Sequence, residues 1–235
     1  MYHTIIFDLD DTLTDDKENI REAFKTVMKY RKENYNEEKF ERFYTIDKRT
    51  WKERAEGKLL TPYEDNIAKK AEWLRAYRFI QYYDKRISYE EAVHINDIYM
   101  EGMKQKIVAR EGVFEVIQYL HKKGYRLIIA TNGPIVPLQM KIKKLDITDF
   151  IDVIFSAEEV GYMKPHQEFY KGVFEKAHLK TPKGILVIGD ELEKDVKGAI
   201  ENNLDICWCN YNGQINNQYQ INYEIHDLKE LMEIL

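Results

Sequence analysis

The chain has 235 residues, 44% of them hydrophobic, and a formal net charge of −5 from 41 acidic and 36 basic residues. That length fits one large domain or one domain carrying an insert, with enough apolar material for a real core. A net acidic chain without a basic stripe argues against a nucleic-acid polymer as partner, and no apolar run approaches the roughly 20 residues of a membrane helix.

In chain order, the first element is a β-rich apolar run, Thr4 to Phe7. It reads as a buried strand and not as a signal peptide, because no charged segment precedes a long apolar stretch. The expected location is therefore cytoplasmic. Behind it stand Asp8, Asp10 and Asp11. Asp8 and Asp10 are two apart, so on extended backbone they point the same way. Bare carboxylates that close repel each other, and a divalent cation removes the conflict. Mg²⁺ suits such a site, since it takes carboxylate and phosphate oxygens. The bland alternative is a solvated acidic turn. The alternation turns Asp11 away, to steady the turn with Thr12, and 14–16 reads as a hinge.

From about Asp16 to Lys106 no strand pattern occurs. Ile20, Ala23, Phe24, Val27 and Met28 form a helical stripe. Thr61-Pro62-Tyr63-Glu64 and Ser88-Tyr89-Glu90-Glu91 have the form of capping boxes. An all-helical block of about four helices is thus expected at 16–106, inserted into a domain made of 1–15 and 107–235. An insert after the first strand would hang over the carboxyl edge of the sheet, where open α/β folds place their sites. Lys48, Trp51 and Arg54 share one helical face of the block. Trp51 suits stacking on a base, or the bundle core. Arg75, Arg78 and the many tyrosines read as solvated faces.

Beyond the block, strands are expected at 126–130, 152–155, 184–188 and 205–209, separated by helical stripes such as Val113, Val116, Ile117 and Leu120. Their runs are apolar on both faces, as strands covered on two sides should be. The pattern predicts an α/β fold: a doubly wound, mostly parallel Rossmann-like sheet with an inserted all-helical cap domain. Three more strand ends carry chemistry. Thr131-Asn132-Gly133-Pro134 offers a hydroxyl and amides, with a helix start near Pro134 as an anion cradle. Lys164 precedes Pro165 at the start of the next helix, where the dipole disfavours a cation and a phosphate would explain it. Gly189-Asp190-Glu191 leads into Asp195 one turn on. Cys207 and Cys209 read as buried thiols in a reducing compartment. The polar stretch 211–220 reads as a surface loop, and Ile225 to Leu235 as a docking helix.

Phe7-Asp8-Leu9-Asp10-Asp11-Thr12-Leu13, Ala130-Thr131-Asn132-Gly133, Lys164-Pro165 and Gly189-Asp190 through Asp195 resemble the four ordered motifs of the haloacid dehalogenase (HAD) superfamily. The helical block resembles the C1 cap of its subfamily IA. Trp51 with Glu56-Gly57-Lys58, Glu159-Val160-Gly161-Tyr162-Met163-Lys164-Pro165 and Cys207-Trp208-Cys209-Asn210 are similar to the bacterial pyrimidine 5′-nucleotidase-like branch.

The resemblance implies a Mg²⁺-dependent phosphatase acting through an aspartyl-phosphate on a small-molecule phosphomonoester, foremost a nucleoside 5′-monophosphate. Asp8 would be the nucleophile and Asp10 the acid and base. Thr131, Asn132 and Lys164 would hold the phosphoryl group. Asp8, the carbonyl of Asp10, and Asp190 would hold the metal. Asp195 would order the metal's surroundings or Lys164, with Glu191 a weaker metal candidate. Lys48 and Trp51 would meet the substrate from the cap. The dehalogenases that name the superfamily lack a carboxylate at the Asp10 position, so its presence favours phosphate esters. A sugar-phosphate or phosphoglycolate phosphatase, a phosphomutase, or a non-catalytic phospho-acceptor module are the other readings. A monomer or weak homodimer is expected.

Overall fold

The computed structural model describes residues 2–63, 67–133 and 135–235. The chain divides into two compact units, Met1–Asp16 with Ile107–Leu235, and Lys17–Lys106.

In the first unit, six strands among the described residues form one sheet. They are β1 (Thr4–Phe7), β2 (Arg126–Thr131), β3 (Val153–Ser156), β4 (Ile185–Gly189), β5 (Asp205–Cys209) and β6 (Tyr223–Ile225). Their order is β3-β2-β1-β4-β5-β6, and every ladder is parallel. The chain winds outward one way from β1 and then the other, so the switch lies between β1 and β4, where such sheets bind ligands. Ile5 stands opposite Leu127 on one side and Leu186 on the other.

The double-sided apolar runs now have a use. Ile5, Phe7, Leu127, Ile129, Leu186 and Ile188 pack on one face under α5 (Val113–Lys122) and α6 (Ile135–Lys144). Ile6, Ile128, Ala130, Val187, Ile206 and Trp208 pack on the other under α7 (Gln167–Lys176) and α8 (Lys197–Glu201). Alternate residues of one strand thus feed two cores. Cys207 and Cys209 are free and buried.

The tail differs from the sequence reading. Ile225 closes β6, and only Leu231–Ile234 forms an α-helix, α9. A three-residue strand is too short to show alternation, and Ile225 falls into phase with the helical stripe of 228–235. Lys164 also departs from expectation. The α7 helix begins at Gln167 with His166 as its N-cap, so Lys164 lies three residues before it and not in its first turn.

The second unit holds the remaining helices. These are α1 (Asp16–Tyr30), which starts on the last residue of the first unit, α2 (Glu37–Ala55), α3 (Ile67–Tyr82) and α4 (Tyr89–Gln105). Its core is aromatic: Phe24 stacks on Phe43 at 4.6 Å, and Phe43 on Phe79 at 5.2 Å. Ser88 caps α4 by accepting from the amide of Glu91, while the Glu91 carboxylate pairs with Arg31, so the box is half made. At the other expected box Thr61 accepts from Tyr63, and Glu64 lies outside the described residues.

Arg78 corrects an expectation. It is buried, not solvated, and pairs with Asp47 at 2.6 Å and with Asn96 at 3.0 Å. Tyr82 and Tyr99 are buried in the core of the unit, and the Arg78 guanidinium lies 4.2 Å from the centre of the Tyr99 ring. A charge enters a core only with its partner, because an uncompensated ion there is costly. Asp47→Ala is therefore expected to destabilise this unit by about 3–5 kcal/mol, and Asp47→Leu with Arg78→Met to recover most of that. Urea unfolding of the three proteins checks it. No helix among the described residues is long and apolar enough to cross a membrane.

Candidate active site

The central strands of the first unit end together. Asp8 leaves β1 with its amide still on the carbonyl of Ile188 at 2.8 Å, so the ladder to β4 carries it into place. Its side chain is buried, with Lys164 against it. The Lys164 ammonium donates to Asp8 Oδ1 at 2.5 Å and to Asp195 Oδ1 at 2.7 Å. The other Asp195 oxygen accepts from the Glu191 amide at 3.1 Å, so both its oxygens are engaged. Gly189 makes this possible. A Cβ there would fall 2.4 Å from the Asp195 carboxyl carbon, inside any real contact.

Asp190 comes next, at the end of β4. Its carboxylate accepts from the Thr12 hydroxyl at 3.0 Å, and its carbonyl from the Trp208 indole at 2.8 Å. Thr12 thus serves Asp190 and not the turn at Asp11, whose own carboxylate takes the Asp16 amide at 3.0 Å. Each of Asp8, Asp190 and Asp195 offers an oxygen within 4.8 Å of the others.

Burial governs the electrostatics. Desolvation pushes the Asp8 carboxyl up to about 7 against the pull of Lys164, with Asp195 and Asp10 adding repulsion. Asp190 is pushed up to about 9, again by burial first and then by Asp8 and Asp195. Burial also works against the Lys164 charge, but Asp195 and Asp8 outweigh it and hold the ammonium above the usual lysine range. One ammonium cannot offset three ionised carboxylates, so without further positive charge Asp8 and Asp190 are driven toward their protonated forms. The donors are hard oxygens, which fits a small divalent cation such as Mg²⁺.

Asp10 stands apart. Its carboxylate meets Lys141 and is not part of the cluster of Asp8, Asp190 and Asp195. Thr131 is buried, and its hydroxyl accepts from the Gly133 amide at 3.0 Å. Asn132 grips the peptide of Lys164, accepting from its amide at 2.7 Å and donating to its carbonyl at 3.3 Å. The sequence offers no sign of that side-chain bracket. The expected cradle at the start of α6 is reduced: the Ile135 amide goes to Glu158 at 3.0 Å, and Pro134 lies outside the described residues.

Glu191 is not brought into the cluster. Its side chain is half exposed and pairs with Lys194 at 2.7 Å. Lys48 and Trp51 belong to α2 of the second unit. The Lys48 ammonium lies over the Tyr44 ring, 5.4 Å from its centre. Trp51 is 46% exposed, which removes it from the bundle core, and the Arg54 guanidinium covers one part of its ring at 5.0 Å.

Several supporting residues carry no signal in the sequence. Arg110 pairs with Asp15 at 2.9 Å and lies over the Tyr211 ring, whose hydroxyl donates to the Thr12 carbonyl at 3.1 Å. The polar stretch 211–220 is therefore anchored to the acidic loop at its first residue. Ser156 donates to the Gly133 carbonyl at 2.7 Å. Lys141 is different, since its signal was readable: it falls between Leu138 and Ile142 on the buried stripe of α6, where a lysine needs a partner.

Residues 2–203 match the family model of the haloacid dehalogenase-like hydrolases. The HAD-hydrolase YfnB of Bacillus subtilis is 28% identical over 236 residues, covering 100% of this chain and 95% of that protein. Its crystal structure bound to magnesium superposes with a TM-score of 0.84 at 26% identity, covering 100% of this chain and 98% of that one. The pyrimidine 5′-nucleotidase YjjG of Escherichia coli is 25% identical over 116 residues, 49% of this chain and 51% of that protein. The glyceraldehyde 3-phosphate phosphatase of Pyrococcus furiosus is 27% identical over 128 residues, 53% of each.

Proposed function

The chain belongs to the haloacid dehalogenase-like hydrolases, and from that premise we propose that it is a phosphatase of small phosphomonoesters, with nucleoside 5′-monophosphates as its foremost substrates. The observation that carries this reading is the separation of the two aspartates. Asp8 sits against Lys164, while the Asp10 carboxylate stands outside that cluster in its own contact. A nucleophile and a proton carrier need such distinct environments.

In this reading Asp8 attacks phosphorus and forms an acyl phosphate as the ester oxygen departs. Asp10 gives that alkoxide its proton. It then takes a proton from the water that attacks the acyl phosphate, which frees Asp8 and inorganic phosphate. Lys164, the Thr131 hydroxyl and the main-chain amide of Asn132 hold phosphoryl oxygens through bonds worth roughly 1.5–3 kcal/mol each where charge is involved. Asp8, the Asp10 carbonyl and Asp190 would hold Mg²⁺, a reading that the magnesium-bound YfnB structure supports. When bound, the ion supplies positive charge that offsets the carboxylates and the transferring phosphoryl group. Asp195 keeps Lys164 aimed at Asp8, and Asn132 keeps its peptide in place.

Two leaving groups compete. YjjG supports a nucleotide and the Pyrococcus enzyme supports a triose phosphate. The half-exposed Trp51 favours the nucleotide, because an indole face takes a base by stacking. Phosphate release from matched panels of nucleoside 5′-monophosphates and sugar phosphates with Mg²⁺ tests this. Nucleotides should lead by about tenfold or more in kcat/KM. Cleavage of phosphosugars with nucleotides left intact would overturn the nucleotide assignment and put a sugar phosphate in its place.

A further inference from the structure

Lys141 is a lysine on the wrong face of its helix. It shares the inner side of α6 with Leu138 and Ile142 and is only 8% exposed. Burying an ammonium is costly unless it is paired. Here it contacts Asp10 Oδ1 and lies 3.2 Å from Asp16 Oδ1. Burial works against its charge, but Asp10 and Asp16 outweigh that and keep it an ammonium. Asp8 and Asp10 thus have separate cations, Lys164 for the first and Lys141 for the second.

The two Asp10 oxygens are also distinguished. Oδ1 is taken by Lys141. Oδ2 faces the Thr131–Gly133 turn, where a Cβ on Gly133 would stand 3.2 Å from it. Thr131 is one of the residues read as holding the phosphoryl group, so Oδ2 is the oxygen turned toward the chemistry. Asp16, the second carboxylate on that ammonium, restrains Lys141 in turn.

We propose that Lys141 is a positioning residue for Asp10: it pins Oδ1 and thereby presents Oδ2 as the single oxygen that carries the proton. The inference rests on the acid and base role given to Asp10 above. It makes a kinetic prediction that a packing role does not. The leaving group of p-nitrophenyl phosphate departs without a proton, so acyl phosphate formation does not need Asp10. Hydrolysis of the acyl phosphate still needs a base.

The experiment is rapid mixing of p-nitrophenyl phosphate and Mg²⁺ with wild type, Lys141→Met, Lys141→Gln, Lys141→Arg and Asp10→Ala. Lys141→Met and Lys141→Gln should each release a burst of one p-nitrophenolate per enzyme and then turn over about 10–100-fold more slowly than wild type. Intact mass after quenching should show the phosphorylated chain. Lys141→Arg should restore most of the steady rate. Lys141→Gln keeps the test open should the methionine variant not fold, since its amide can still donate to the aspartates that methionine leaves unpaired. A burst in Asp10→Ala with none in either Lys141 variant overturns this inference alone. Equal loss of burst and steady rate in the Lys141 variants does the same. No burst in Asp10→Ala overturns the acid and base reading beneath it.

Discussion

Asp8→Asn is expected to lower phosphate release from any phosphomonoester substrate by about 10³-fold or more, on the order seen when a covalent nucleophile is removed. The substitution keeps the shape and removes the attacking electron pair. It should not unfold the protein. In the absence of a cation the Asp8 carboxyl is pushed up to about 7, chiefly by burial, so its charge is disfavoured where it sits. A carboxylate whose folded value lies above its unfolded one binds protons more tightly when folded, so stability falls as pH rises through that window and stays lower above about 7. Asn carries no charge and escapes that loss, while Lys164 keeps Asp195 at 2.7 Å. The metal-free variant at pH 8 should therefore melt no lower than wild type, and with a shallower fall between pH 4 and pH 7. Turnover assays and thermal melts on the two proteins check this. Equal turnover would sink the mechanism; a melt collapsed by many degrees would mean that Asp8 is needed for folding.

Removal of the divalent cation is the second large effect. A chelator should abolish turnover, and Mg²⁺ should restore it. The ion should also be visible without activity. A ligand at 100 times its Kd stabilises the folded state by about 2.7 kcal/mol. At about 2–4 °C per kcal/mol for a chain of this size, the melt should rise by roughly 5–11 °C. Binding requires ionised carboxylates, and without the ion Asp8 and Asp190 hold their protons up to about 7 and about 9. The Mg²⁺-induced shift should accordingly grow from pH 6 to pH 9 and shrink on acidification. Asp190→Asn should remove most of it. A shift that is the same at pH 6 and pH 9, or that survives Asp190→Asn, would place the ion elsewhere.

Much of the site was legible because a parallel sheet imposes a simple rule on sequence. Short apolar runs become buried strands, and the residues just after each run land on one edge. Asp8, Thr131 and Asp190 needed nothing more than that to be placed together. Lys164 departs from its expected local setting: two carboxylates hold it, and the helix starts three residues on. Arg78 runs against expectation because the unit holding it is rich in charged helices, on which an arginine ordinarily faces water. Whether one arginine on such a helix faces water depends on Asp47 and Asn96, 31 and 18 residues away.

By itself the sequence determined the α/β class, the succession of strands along the chain apart from the three-residue β6, the helical block between them, and the residues at the strand ends. These depend on local periodicity and on chain order, which a single sequence carries. Tertiary structure alone decided the pairings: Lys141 with Asp10, Thr12 with Asp190, Asn132 with the Lys164 peptide, and Glu191 outward with Lys194. Each joins side chains whose separation in sequence says nothing about distance, or, for Glu191, depends on which way one rotamer turns. The opening acidic loop shows the division well. Its sequence announces crowded charge, but only the fold decides which cation meets which carboxylate.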